Sequence, residues 1–371
     1  MALWARRRRG RDCAAETAAA APAIEEPAPL IHPDDHERLR RFVAPVNDQS
    51  QPNINYLLMR LNGLDALALN VKAMGYQLAR QLSASLAAQP SSGPQQAGLD
   101  SKLSTQADLE SAWARHWLSE LKITPFLHRK LWEFAYILQV LHDRGLLRRG
   151  VRGVGFGCGR EPLASYFATR AMDVVTSDLP PEDARAAGWM STNEYAPAPD
   201  HARDPQIVDA ETFARHVRHR AVDMNAIPGD LRDFDFCWST CALEHLGSIE
   251  QGLQFIERSL DCLRPGGTAV HTTEFNINPN GPTVDNWVTV YFQRKHMERL
   301  AARLAAHGHV VAPFDFSTGD GPLDQFIDLP PWPNDVLLGE IAAGLGMPYH
   351  LKVAADGFIV TCLGLAITKA A

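Results

Sequence analysis

Gly153-Val154-Gly155-Phe156-Gly157-Cys158-Gly159-Arg160-Glu161-Pro162 joins a short apolar strand to a helix through a glycine-rich turn. Alternate glycines let the backbone turn sharply and approach a ligand closely, because a side chain there would collide with it. Pro162 suits the first position of the following helix, where a missing N–H costs nothing. Past the turn, Val174-Val175-Thr176-Ser177-Asp178 reads as a second strand ending in an acid. Asp178 stands about 20 residues beyond the loop, the spacing at which a carboxylate takes two ribose hydroxyls in a Rossmann-like unit. The stretch therefore predicts a nucleoside-containing cofactor.

The order of the glycines narrows the choice. A dinucleotide loop wants G-x-G-x-x-G, whereas here Gly155-x-Gly157-x-Gly159 is followed by Arg160 where the third glycine would fall. That spacing disfavours NAD and FAD, whose pyrophosphate needs the close approach. Downstream come Ala221-Val222-Asp223-Met224-Asn225, then Phe234-Asp235-Phe236-Cys237-Trp238-Ser239, then Ala242-Leu243-Glu244-His245-Leu246, and finally Leu263-Arg264-Pro265-Gly266-Gly267 before a strand over Thr268 to Glu274.

In this order the segments resemble the class I S-adenosylmethionine (SAM)-dependent methyltransferases, Ala221 to Asn225 resembling the third strand and Phe234 to Ser239 the fourth. Over roughly residues 108–368 they are similar to a bacterial group often associated with glycan assembly. The resemblance implies a doubly wound, seven-stranded, mostly parallel Rossmann-like α/β sheet preceded by a helical N-terminal region. It implies SAM as cofactor, held by Gly155, Gly157, Gly159, Glu161, Asp178, Asp223, Met224 and Ser239. Asp223 would meet the adenine amino group, with Asn225 as the alternative. Two departures from the superfamily pattern stand out: Gly155 replaces the usual acid of the first motif, and Glu161 replaces its last glycine. Glu161, near the start of a helix whose dipole favours an anion, could supply the missing charge.

Composition bounds the function. A chain of 371 residues holds one large α/β domain and a smaller helical unit. A formal charge of −7 argues against nucleic acid as substrate, since phosphate binding wants a basic face. The six cysteines, at positions 13, 158, 237, 241, 262 and 362, form no C-x-x-C pair and read as reduced thiols of a cytoplasmic protein. No apolar run approaches the length of a membrane span. The run Arg6 to Arg9 resembles the basic start of a signal peptide, but Asp12, Glu16, Glu25 and Glu26 interrupt any apolar stretch after it, so residues 1–50 read as a disordered tail and linker.

Residues 51–147 read as the helical region, with helical spacing over Tyr56 to Leu86, Leu109 to Leu121 and Phe126 to Leu141. Their aromatics are core candidates, or close over the acceptor site, and this part also offers a surface for a homodimer. Residues 148–371 read as the methyltransferase domain, with a sixth strand at His309 to Phe316, a helix at Arg294 to Ala306 and a seventh strand at Phe358 to Thr368. Residues 317–350 form an insertion, a plausible lid, whose Asp328 to Pro333 reads as a rigid surface loop. Residues 180–209 form a long irregular connection of the kind that is commonly functional.

For methyl transfer to a hydroxyl of a small-molecule or carbohydrate-type acceptor, a positioned base is needed. His245, His271 and Glu274 are the candidates, with His245 favoured and Glu274 next, because an imidazole titrates in the useful range untuned. No metal is expected. Relatives that hold magnesium use Glu-x-x-Glu-His, and here Cys241 replaces the first glutamate, whereas hard cations prefer oxygen. The rival reading is a non-catalytic protein of the same fold, kept open by Gly155. Trp189 and Trp332 are candidates for stacking on the acceptor.

Overall fold

The computed structural model describes residues 54–89, 93–180, 195, 199–336 and 338–371. The Arg-rich tail, most of the 180–209 connection and Trp189 lie outside them. The chain divides into two units, 1–64 and 65–371. In the first, the described residues are the start of helix α1 (Ile54–Ala87), where Leu58, Met59, Leu61 and Leu64 are exposed.

Among the described residues, the second unit is built on one mixed sheet of eleven strands. In chain order its elements are β1 (Ser101–Leu103), α2 (Ala112–Glu120), α3 (Arg129–Asp143), β2 (Arg152–Phe156), α4 (Leu163–Thr169) and β3 (Asp173–Asp178). Then come α5 (Ala210–His216), β4 (Val217–Ala221), β5 (Phe234–Thr240), α6 (Ile249–Ser259), β6 (Leu263–Asn276) and α7 (Arg294–Ala306). The chain closes with β7 (Val310–Val311), β8 (Phe314–Asp315), β9 (Ile327–Asp328), β10 (Lys352–Ala355) and β11 (Phe358–Thr368). The order runs β4-β3-β2-β5-β6-β11-β1-β8, parallel from β4 to β6, with β11 antiparallel to β6.

The doubly wound sheet is as expected, but its strand count exceeds seven. The expected sixth strand, His309 to Phe316, is two fragments of two residues each. β7 pairs with the end of β11, whereas β8 pairs with β1, a strand from the N-terminal region that lies against β11. The insertion adds β9, which pairs with β10. The third strand ends at Ala221, so Asp223 to Asn225 form the turn beyond it rather than the strand itself.

Burial on both faces explains the apolar runs of the central strands. Side chains alternate across the sheet. Phe236, Trp238, Cys362 and Ala366 belong to one core with α2, α3 and α4, while Cys237, Leu363, Leu365 and Ile367 belong to the other with α6 and α7. Helix starts are capped as their sequences require, Ser111 accepting from the Ala114 N–H and Ser248 from the Gln251 N–H. The Asp328 to Pro333 stretch is only in part the surface loop expected: Pro330 and Pro333 are exposed, but its start is not. Asp328 is fully buried, pairs with Lys72 at 2.7 Å, and accepts from Tyr76 and His350, each at 2.8 Å. Trp332 presents its ring to the Lys72 ammonium at 4.1 Å, away from the cavity at the carboxyl ends of the central strands.

Gly364 on β11 marks the closest approach of α3 to the sheet. A Cβ there would sit 2.3 Å from Cε1 of Tyr136, a ring held by its hydrogen bond to the Asp100 carbonyl and stacked on Trp132 at 4.8 Å. Gly364→Val is expected to lower stability in urea denaturation by about 1–3 kcal/mol or more, the range for an overpacked core. Gly344→Ala, where a Cβ meets nothing within 4 Å, serves as the neutral control. Equal midpoints for the two variants would contradict this packing.

Candidate active site

A cavity of about 370 Å³ opens at the carboxyl ends of β2, β3 and β5, where the strand order reverses. Ligands of open parallel sheets bind at such a switch point. Its walls include Gly157 to Glu161, Asp178, Leu179, Tyr195, Val222 to Met224, Thr240 to Ala242, His245 and Leu246, with Lys130 and Phe134 contributed by α3.

The glycine loop is shaped by steric necessity. Gly157 and Gly159 take left-handed φ values of 60° and 50°. A Cβ on Gly157 would also stand 2.7 Å from the Ala242 Cβ. The Gly159 N–H donates to Oδ2 of Asp178 at 2.9 Å, fixing the acid against the loop. Asp178 is 8% exposed, and burial pushes its carboxyl up to about 7, the Gly159 N–H only partly offsetting this.

Gly155 lies beneath the loop rather than in the cavity wall. A Cβ there would stand 2.3 Å from the Trp238 indole and 2.4 Å from Sγ of Cys158, so no acid fits at this position. The same indole donates through Nε1 to Oε2 of Glu161 at 3.4 Å. Glu161 does line the cavity, and desolvation pushes its carboxyl up to about 8. The two departures from the superfamily pattern thus meet at one aromatic ring.

The structure sorts the other expected residues. Asp223 and Met224 line the cavity, Asp223 accepting the Asn225 N–H at 2.9 Å. Ser239 is fully buried outside the cavity wall, its Oγ 2.8 Å from Nδ1 of His271. His271 is also within 3.1 Å of the Ser259 hydroxyl, and burial lowers its pKa to about 3, so it is a neutral core imidazole. Glu274 lies outside the cavity wall and is held bidentately by Arg129, with both contacts at 2.5 Å. Burial opposes the guanidinium charge there, but Glu274 raises its pKa overall.

His245 is the imidazole that reaches the cavity. It ends a short 3-10 turn, Leu243–His245, which follows Cys241 in a left-handed conformation at φ 47°. A non-glycine residue in that region is uncommon, and such conformations concentrate at functional sites. Nδ1 of His245 lies 3.0 Å from the Val288 carbonyl, which can only accept. Towards that carbonyl Nδ1 can act only as the donor, and the Thr289 hydroxyl lies 3.1 Å from the same nitrogen. Lys130 and Phe134 are further cavity residues: Phe134 is one of the aromatics expected either in the core or over the acceptor site, whereas Lys130 carried no motif.

No protein-family model matches the chain. Over 117 residues it is 29% identical to the malonyl-[acyl-carrier protein] O-methyltransferase of Salmonella typhimurium strain LT2, a match covering 32% of this chain and 36% of the relative. The match thus spans about a third of the length of that curated relative. Among solved structures, a phosphoethanolamine N-methyltransferase 2 of Haemonchus contortus overlaps 63% of this chain and 52% of its own, at 15% identity and a TM-score of 0.39. The magnesium protoporphyrin IX methyltransferase of Synechocystis PCC 6803 overlaps 63% of this chain and 81% of its own, at 10% identity and a TM-score of 0.36. At TM-scores below 0.5 these overlaps add nothing to what the chain's own topology shows. No helix among the described residues is long and apolar enough to cross a membrane.

Asp178 generates a pH prediction. Its folded pKa, about 7, exceeds the ordinary 3.8, so between those values the folded state holds a proton that the unfolded state has released. Stability contributed by this group therefore falls as pH rises through that window, and the penalty is complete above about pH 7. Asp178→Asn keeps the acceptor for Gly159 and removes the charge. We expect it to stabilise the ligand-free protein at pH 8 by roughly 2–4 kcal/mol in urea denaturation, with little difference near pH 4. A variant less stable than the parent at pH 8 would contradict the assignment. In strand order and motif sequence the chain resembles the class I SAM-dependent methyltransferases, and over about a third of its length it is similar to one curated O-methyltransferase.

Proposed function

We propose that the chain transfers a methyl group from SAM to a hydroxyl of a small-molecule or carbohydrate-type acceptor. The observation that carries the cofactor reading is the convergence of the bare Gly157–Gly159 loop, Asp178 and the Asp223–Met224 turn on one cavity. Asp178, already fixed by Gly159, would accept from the ribose hydroxyls. Asp223 or Asn225 would meet the adenine, with Met224 against its face. Glu161 and Lys130 offer one acid and one base for the zwitterionic methionine end. Asp178 and Glu161, protonated near neutrality in the empty cavity, would ionise on meeting donors and a positive sulfonium.

SAM, when bound, supplies an electrophilic methyl on a positively charged sulfur. The residues of this chain would align the acceptor with it, and orientation alone can contribute on the order of 7–11 kcal/mol. Nε2 of His245 would take the hydroxyl proton as the new bond forms, its ring fixed by the Val288 carbonyl. Glu274 in its Arg129 ion pair would orient α3 over the site rather than move a proton. The name of the curated relative denotes O-methyl transfer, which supports oxygen as the acceptor atom. The non-catalytic alternative rested on Gly155, and the packing of Trp238 gives a steric reason for that glycine.

Calorimetric titration should show micromolar binding of SAM and S-adenosylhomocysteine by the full chain, lost in Asp178→Ala. Absence of binding to the unaltered chain would remove the cofactor reading. With a hydroxylated acceptor found by screening, His245→Ala should lower kcat by about 10²–10⁴ while leaving the affinity for SAM unchanged. An unaltered kcat would dismiss His245 as the base.

A further inference from the structure

Beside the cavity stands a group of side chains that methyl transfer does not use. Cys241, after β5, and Cys362, on β11, bring their sulfurs to 3.7 Å of each other. A carboxylate oxygen of Glu133, from α3, lies within 4.8 Å of both. Glu133 and Cys362 are fully buried, and Cys241 is partly exposed where it lines the cavity.

The spacing does not suit a disulfide. β6 separates β5 from β11, so the two backbones are roughly two strand spacings apart, about 9–10 Å. Disulfides need Cα atoms within about 7 Å. It does suit a shared metal: with metal–sulfur bonds near 2.3 Å, two thiolates at a tetrahedral zinc stand about 3.8 Å apart. A second, independent observation points the same way. Oε1 of the fully buried Glu133 has no hydrogen-bond partner, a costly state for an acceptor, while its Oε2 takes Lys130 at 2.9 Å. Two thiolates and one carboxylate around a divalent ion sum to one negative charge, which the adjacent Lys130 ammonium offsets. Glu244 and Glu274 also approach Cys241, but Glu274 is occupied by Arg129.

We propose that Glu133, Cys241 and Cys362 form a binding site for a thiophilic divalent cation of the zinc class, with its open coordination position toward the cavity. This differs from a magnesium site on Glu-x-x-Glu-His: the sulfur that weakens a hard-cation site is the ligand here. A metal of this class binds cysteine as the thiolate. Binding therefore releases about two protons per ion.

The test uses the full chain, stripped with a chelator and titrated with Zn²⁺ and separately with Co²⁺. One equivalent of each should bind, with sulfur-to-cobalt charge-transfer absorption and the visible bands of tetrahedral cobalt. Calorimetry in buffers of different ionisation heat should return the two protons. Cys362→Ser should weaken binding about tenfold or more and cut the charge-transfer intensity by about half, as should Cys241→Ser. Glu133→Gln should weaken binding while keeping the sulfur bands, and Cys262→Ser, outside the cluster, should change nothing. Circular dichroism of each variant establishes folding; if Cys362→Ser does not fold, the partly exposed Cys241 decides. No stoichiometric binding, or cobalt spectra unmoved by either cysteine variant, would overturn the site. Neither result depends on SAM, so the outcome is separate from the fate of the proposed methyl transfer.

Discussion

The approach of β2 to β5 is the constraint on which the site depends. Phe236 and Trp238 lie over β2, where a Cβ on Gly153 or Gly155 would stand 2.3 Å from a ring carbon. Two large aromatics on one strand thus require two bare positions on its neighbour. Phe167 packs edge-on against both rings at 5.2 and 5.1 Å, so helix α4 is set by the same pair. Because α4 follows the glycine loop directly, the rings also fix where that loop can run. The Trp238 N–H then reaches Glu161 at the end of the loop. Packing and electrostatics here are one arrangement: the ring that excludes an acid at 155 supplies a donor to the acid at 161.

A cost arises in the ligand-free protein. Asp178 and Glu161 both have raised pKa values, because the cavity that would welcome a cation and hydroxyl donors offers them little water. Stability is sacrificed at the point where ligand donors would restore it. Two other buried charges of the described residues are paired. Lys72 with Asp328, and Arg129 with Glu274, each join parts of the chain far apart in sequence. Removing one member of such a pair would leave the other buried and uncompensated, which is more damaging than the pair is stabilising.

The features legible in the sequence were local ones. The glycine loop, Asp178, helix α7 and strand β11 stand where their residues predict, since turn chemistry and apolar period decide them within a few positions. The third strand was displaced because Val217–Ala221 is an edge strand carrying Arg218, His219 and Arg220, with no apolar run to announce it. The sixth was overestimated because apolar residues at 310–316 serve two different partners, β11 and β1. His271 and Glu274 looked alike on β6, and only their surroundings separate them: two serine hydroxyls for the one and a guanidinium for the other. The cluster of Glu133, Cys241 and Cys362 was invisible for a related reason. Its sulfurs are 121 positions apart, and no spacing rule spans a sheet.

The short strand β1 has a consequence for how this chain can be divided. Its three residues pair on one side with β11 and on the other with β8, while Tyr136 of α3 anchors the Asp100 carbonyl just before it. A cut at residue 148, which the motif order invites, would leave the middle of that edge of β11, between the stretches held by β10 and β7, without its partner and bare the apolar face that α3 covers. An open apolar edge is a template for self-association. The region before the glycine loop is therefore a structural part of the sheet it precedes.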